Sequence, residues 1–281
     1  MFRKNHRSHR LLPFALVFNL LVLTAGCGGD APDPEAAPLD APQATGGATD
    51  LQLVPSPDIA PDAPDARMGF VAPEEGARFA EGEPVEVTMR LTGYELHVPT
   101  PGGEARGLAR APDGQHVHLI LNDRPYRAIY DLSEPVVLED LPAGTHVLRV
   151  FPGRDWHESV KTPGAFAMRT FHVGDGDPVP PMDLEGPLLT YSRPVGEYAG
   201  AAADSILVDF YLSGVRLSPD GYRVRVEVDG VGEAMVNHWA PYLLVGLPDG
   251  EHTVRLELLD STGVPVPGEF NRSERTIQVR R

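Results

Sequence analysis

The chain repeats itself, and that repeat limits its architecture. PDGQHVHLIL (112–121) returns as PDGYRVRVEV (219–228). SEPVVLEDLPAGTHVLRV (133–150) returns as WAPYLLVGLPDGEHTVRL (239–256). PGAF (163–166) matches PGEF (267–270), and RTFHV (169–173) matches RTIQV (275–279). The offset drifts by only a few residues between matches, as it does when loops change length and strands do not. A period of about a hundred residues is too long for a solenoid unit and suits a duplicated domain. The expected domains are 67–176 and 182–281, joined through the proline-rich acidic stretch DGDPVPPMDLEG (175–186).

Each copy reads as all-β. VEVTMRL (85–91), HVHLILN (116–122), THVLRVF (145–151) and AMRTFHV (167–173) are short and alternate apolar with polar residues. SILVDFYL (205–212), YRVRVEVD (222–229), HTVRLELL (252–259) and RTIQVR (275–280) do the same in the second copy. Turn residues bound them at the spacing of a β-sandwich. No stretch after residue 27 sustains an amphipathic helical pattern. The LPAGTHVLRV and LPDGEHTVRL segments resemble the turn and strand near the end of bacterial immunoglobulin-like and fibronectin-III-like domains. That resemblance implies two tandem immunoglobulin-like β-sandwiches, and it implies no function by itself.

The residues before the repeat are of another kind. MFRKNHRSHR is basic, and LLPFALVFNLLVLTAG is an apolar run too short to span a bilayer comfortably. The run ends at Cys27, the chain's single cysteine. LTAGC is similar to a bacterial lipobox. The resemblance implies a signal peptide over 1–26, diacylation of Cys27 as the mature N-terminus, and attachment to a membrane. Gly28 stands where an aspartate would retain many lipoproteins in the inner membrane, so the outer membrane is expected in a Gram-negative cell. With no second cysteine, no internal disulfide forms. Residues 27–66 follow; from Gly28 on they hold eight prolines, eight acids and no lysine or arginine. Such a segment buries too little apolar surface to offset its chain entropy, and a disordered tether is expected.

Net charge is −16, although the first 26 residues carry four basic side chains and no acid. So acidic an exported part repels nucleic acid and anionic lipid. GxSxG, HExxH and P-loop motifs are absent, and the cysteine is committed to lipid, so no enzyme activity is expected.

Chemistry concentrates in two places. His116 and His118 lie two apart on a strand and so share a face. They align with Arg223 and Arg225, while Val117, Leu119 and Leu121 align with Val224, Val226 and Val228. Arg223, Arg225 and Glu227 belong in water, so by analogy His116 and His118 are expected to face outward. They are then either ordinary exposed residues or ligands on an open face. A His-X-His pair can offer two imidazoles to Zn²⁺ or Cu²⁺ but needs a third donor. His97, His157, His172 or a carboxylate could supply it, and the expected set is His116, His118 and His157. His146 aligns with His252 and is expected to share a structural role with it.

The second place is FPGRDWHESVKTPGAFA (151–167), whose counterpart ELLDSTGVPVPGEFN (257–271) holds no tryptophan, histidine or lysine. Trp156, His157 and Lys161 there could contact a ligand or partner, a sugar stacked on Trp156 being one form. Trp156 could instead pack over the end of its own sandwich. The reading as a whole is a lipid-anchored envelope protein with a non-catalytic binding or display role, toward an envelope protein or a glycan. A metal-binding role through His116 and His118 is the alternative.

Overall fold

The computed structural model describes residues 51–57, 60, 63–103, 107–176, 186–230 and 232–281. The expected signal segment, Cys27, the residues to 50 and linker residues 177–185 lie outside them.

The described chain is all-β, built as two sandwiches of the same plan. In the first, β2 (Arg67–Ala72), β4 (Val85–Thr92) and β7 (Val136–Leu138) form a three-stranded sheet. The facing sheet has five strands in the order β3 (Ala77–Phe79), β9 (Ala167–Val173), β8 (Gly144–Gly153), β5 (His116–Leu121), β6 (Arg127–Ile129). In the second, β10 (Leu188–Arg193), β12 (Ser205–Ser213) and β15 (Tyr242–Val245) replace β2, β4 and β7. Its five-stranded sheet runs β11 (Gly196–Ala199), β17 (Arg272–Arg280), β16 (Gly250–Leu259), β13 (Arg223–Val228), β14 (Gly232–Val236). In both copies a short early strand leaves the first sheet and pairs parallel with the last strand, β3 with β9 and β11 with β17. This is the tandem immunoglobulin-like and fibronectin-III-like arrangement.

Alternation in the sequence builds the two cores. Along β4, Val85, Val87 and Met89 are buried while Glu86 and Arg90 are exposed. Val117, Leu119 and Leu121 of β5 join them against Leu148, Val150 and Phe171. The equivalent Val224, Val226 and Val228 pack with Val254, Leu256 and Leu258 in the second core. Each such side chain contributes about 1.5–3 kcal/mol on burial. His146 and His252 do share a role. Nε2 of each donates to a proline carbonyl four residues back, Pro142 at 2.8 Å and Pro248 at 2.9 Å.

One expectation fails here: the spacer is not all tether. Residues 52–55 form β1 (Gln52–Pro55), which pairs antiparallel with β15 and places Leu53 opposite Leu244 in the second core. QLVP is the one apolar run in that acidic stretch, and an open sheet edge gives it the backbone partners it lacks alone. The chain therefore touches the second sandwich before it builds the first.

The two sandwiches pack on each other, and both fall within one compact unit. The outer face of the β5–β8 sheet is covered by the β10–β12 face of the second sandwich. Ile120 and Phe151 pack on Tyr211, while Val147 packs with Leu188 and Phe270. Arg149 crosses this layer, donating to Asn122 O at 2.5 Å and Thr190 Oγ1 at 3.1 Å, with its guanidinium 3.9 Å from the Phe270 ring centre. At the far corner Asp123 accepts from Ser273 Oγ at 2.7 Å and Arg275 Nη2 at 2.8 Å.

Candidate metal centre

His116 and His118 do project from the non-core face of β5, as the alternation requires. That face is not solvent. Both side chains are 0% exposed: Ser192 of the second sandwich meets His118, while Tyr126, Tyr130 and His157 close over His116. The exposed-strand expectation is thus corrected. The analogy with Arg223 and Arg225 gave the right side of the strand but not what covers it.

The third histidine comes from the loop that leaves β8. Arg154 N donates to Glu158 O and His157 N to Arg154 O, both at 2.8 Å, closing a tight turn. His157 sits at φ +70°, in the left-handed region, and from there its ring reaches the other two. His157 Nδ1 lies 3.2 Å from His116 Nε2, and His116 Nε2 lies 3.0 Å from His118 Nε2. One nitrogen from each ring falls within 4.8 Å of the others. The structure brings His116, His118 and His157 together and leaves out His97 and His172, the latter held by Thr145 at 3.3 Å.

The surroundings orient the rings. His116 Nδ1 donates to Gly114 O at 2.9 Å, which leaves its Nε2 a lone pair. His118 Nδ1 meets Ser192 Oγ of β10 at 3.1 Å. Tyr126 lies flat on His118, with ring centres 3.7 Å apart and planes 2° from parallel, and its hydroxyl is 3.0 Å from His157 Nδ1. Gly153, opposite His116 across the sheet, leaves room for the cluster: a Cβ there would stand 2.7 Å from His118 Nε2. Burial pushes all three imidazoles below their ordinary pKa, His157 to about 2 and His118 far down. The Arg193 guanidinium works in the same direction at each. All three are therefore neutral at pH 7, the form that binds metal.

The geometry suits a small ion. Tetrahedral Zn²⁺ with about 2.0–2.1 Å to each nitrogen sets its donors about 3.3 Å apart. The two short separations here differ from that by a few tenths of an ångström. Three imidazoles with no carboxylate suit zinc or copper and not calcium or magnesium. The Nδ1 partners of His116 and His118, Gly114 O and Ser192 Oγ, resemble the outer hydrogen bonds that hold metal-bound histidines in place.

The other expected contact residues serve the joint. Trp156 is 0% exposed, packs with Leu108 and Leu207, and donates Nε1–H to Glu158 Oε2 at 2.8 Å. It offers no face to a sugar, so the glycan platform at Trp156 is withdrawn. Lys161 pairs with the buried Asp209 of β12 and donates to Ser159 Oγ at 2.9 Å. Asp209 also accepts from Ser159 N at 3.0 Å. Trp156 and Lys161 do contact a partner, but it is the other half of the same chain.

Sequence reasoning missed Ser192, Asp209, Tyr126 and Arg193. A signal existed in the outer face itself. Ile120 stands where the second copy has Glu227, and Phe151 where it has Glu257. Two large apolar residues replacing two carboxylates mark a face that is covered.

No protein-family model matches the sequence, and none of the curated proteins does. Among solved structures, the fibronectin(III)-like modules of Clostridium thermocellum CbhA are similar over 76% of this chain and 94% of theirs, at 13% identity and a TM-score of 0.26. The central fibronectin-III array of RIM-binding protein is similar over 79% of this chain and 71% of its own, at 11% identity and a TM-score of 0.26. Bacteroides ovatus SGBP-B, solved with a mixed-linkage heptasaccharide, is similar over 75% of this chain and 46% of its own, at 14% identity and a TM-score of 0.22.

Proposed function

We propose that this protein is a lipid-anchored, non-catalytic binding protein of the cell envelope that holds a transition-metal ion, zinc or copper, on His116, His118 and His157. One observation supports this reading above the others: three neutral ring nitrogens from two separate segments converge at 3.0 and 3.2 Å. Two lone pairs facing each other at that distance repel unless a proton or a cation lies between them. A metal ion satisfies all three nitrogens at once. Arg193, whose guanidinium lies 5.2 Å from the Tyr126 ring centre, opposes a bare dication and favours an ion that carries an anion in its open position.

The anchor is part of the proposal through Cys27 and the lipobox resemblance. Metabolic palmitate labelling of the protein in a bacterial host, lost in Cys27→Ser, tests it. For the metal, the purified full chain in detergent is titrated with Zn²⁺ and Cu²⁺ by calorimetry. Binding at one equivalent, lost in His118→Ala, is expected. Binding no tighter than about millimolar, worth only about 4 kcal/mol, would leave a pair of sandwiches with a display role.

A further inference from the structure

The three ligands all belong to the first sandwich, yet part of what holds them belongs to the second. Ser192, buried on β10, is the partner of His118 Nδ1. Asp209, wholly buried on β12, grips both ends of the segment that follows His157, through Ser159 N and Lys161 Nζ. We infer that Ser192 and Asp209 are positioning residues of the metal centre, so that ion binding and docking of the two sandwiches are one coupled equilibrium. This rests on the metal reading above and adds to it a dependence on the second sandwich.

The chemistry of Ser192 fits that role. Without an ion, one proton must lie between His116 Nε2 and His118 Nε2. His116 keeps its own proton on Nδ1 for Gly114 O, so the shared proton belongs to His118 Nε2. His118 Nδ1 is then bare, and the Ser192 hydroxyl donates to it. With an ion on Nε2, the proton of His118 moves to Nδ1, and the same hydroxyl accepts it. A serine oxygen can do both by rotation, whereas a carbonyl or an amide nitrogen can do one. Ser192 therefore satisfies His118 in both states, and only while β10 lies over β5.

Asp209 acts on the other ligand. The turn carrying His157 at φ +70° needs its neighbours fixed. Asp209 fixes Ser159 and Lys161 just beyond it, and the Gly153–Ser159 bridge closes the base. A first sandwich separated from the second keeps the His-X-His pair and loses the geometry of the third donor.

Linkage makes the coupling reciprocal: if docking raises metal affinity, metal stabilises docking by the same factor. The test uses the full chain in three forms, unsubstituted, Ser192→Ala and Ser192→Thr. Zn²⁺ affinity is measured by competition with a chelating dye, and Co²⁺ loading by its visible absorption. Amide exchange is followed at Thr190, Ser273 and Arg275, which lie across the joint away from the ligands. Ser192→Ala is expected to weaken Zn²⁺ about 10–100-fold, as loss of an outer partner of a ligating histidine does, and to alter the Co²⁺ spectrum. Ser192→Thr, which keeps the hydroxyl, restores most of the affinity. Zn²⁺ slows exchange at the three distal amides in the unsubstituted protein and does so less in Ser192→Ala. Near-UV circular dichroism confirms that each form is folded, and Asp209→Asn gives an independent second perturbation. Zn²⁺ binding undiminished in Ser192→Ala and Asp209→Asn, with distal exchange unmoved by the ion, would overturn the coupling while leaving the metal site standing. No Zn²⁺, Co²⁺ or Cu²⁺ binding by the unsubstituted chain would remove both.

Discussion

β5 and β13 are the same strand in two copies of one domain, and they meet opposite fates. HVHLIL is buried on both faces, whereas RVRVEV is buried on one. The inner residues barely differ: Val117, Leu119 and Leu121 against Val224, Val226 and Val228. The outer residues differ in kind. Arg225 and Glu227 join Glu257, Arg255 and Glu274 in a ladder of ion pairs on the open sheet. His118 and Ile120 meet the second sandwich at Ser192 and Tyr211, and His116 lies under Tyr126, Tyr130 and His157. Duplication therefore supplied one fold and two surfaces, one kept for water and one turned into a joint with a histidine cluster at its rim. A repeat is a sound control for the face a residue takes and a poor one for its environment, because one copy of the domain can be what covers the other.

The comparison predicts its own largest effect. Val117→Asp and Val224→Asp each bury an unpaired carboxylate in a core, at a cost of several kcal/mol, near the whole stability of a small domain. Loss of cooperative chemical unfolding for the affected sandwich checks this, and native-like transitions in both variants would mean that the cores are wrongly placed.

Exchanging the outer residues separates the two strands more sharply. Ile120→Glu places a carboxylate against Phe151 and Tyr211 and is expected to cost about 3 kcal/mol or more. Glu227→Ile only takes a partner from Arg255 on a half-exposed surface, where an ion pair is worth about 0–1 kcal/mol. Urea midpoints of the two variants should differ accordingly. Equal shifts would show that β5 and β13 are equally open to water.

The edge strand β1 tests whether the comparison extends beyond the repeat, since β7 has no such neighbour among the described residues and β15 does. Leu53→Ala removes a buried side chain from the second core and is expected to cost about 2 kcal/mol, felt by the second sandwich alone. An unchanged midpoint would place residues 51–57 back with the spacer.

Much of this was legible beforehand. Eight strand positions and their inner faces follow from alternation and the repeat, while others, β2, β10 and β15 among them, were not assigned. His116, His118 and His157 could be grouped because the first two share a strand face and the third lies in the one loop that departs from the repeat. The cover over β5 was missed, since alternation reports only which side of a sheet a residue takes; the second layer showed only in Ile120 and Phe151, where the other copy has Glu227 and Glu257. Asp209 read as an ordinary strand residue, and Ser192 fell in a stretch assigned to no strand. QLVP was too short against eight prolines and eight acids to read as a strand.

The histidines give the joint a pH dependence that β13 lacks. All three have folded-state pKa values below the ordinary 6.5, owing first to burial and then to the positive charges around them, Arg193 at each and Lys161 at His118. Tyr126 stays neutral and uncharged in this range. Groups that stay neutral when folded and charge when unfolded contribute stability that is intact above pH 6.5 and falls as pH drops below it. The slope is about 1.4 kcal/mol per pH unit for each histidine that remains unprotonated. Urea unfolding between pH 7.5 and 5 checks the sign. His118→Gln should flatten the slope, and a slope unaffected by that change would detach the pH dependence from the cluster.

The smallest expected effect comes from the other matched histidines. Asn122 and Asp229 sit at the same place at φ 52° and 53°, after β5 and β13. Asn122 Oδ1 accepts from Val147 N at 2.9 Å and its Nδ2 donates to His146 Nδ1 at 3.0 Å. Asp229 Oδ1 accepts from Thr253 N at 2.8 Å, and its Oδ2 meets His252 Nδ1 at 2.7 Å. The two copies solve one turn with an amide and with a carboxylate. Asparagine tolerates the left-handed region at least as well as aspartate. Asp229→Asn keeps both contacts by reversing one of them: the asparagine Nδ2–H donates to a bare His252 Nδ1, as Asn122 does to His146, while His252 Nε2–H still serves Pro248 O. The expected change is below about 0.5 kcal/mol. Asp229→Ala loses both bonds and puts a Cβ-bearing residue without a polar side chain at positive φ, so about 1–2 kcal/mol is expected. A thermal-melt comparison of the two variants decides it: a large loss in Asp229→Asn would mean that His252 is held by charge, and that the two copies differ at this turn as they do along β5 and β13.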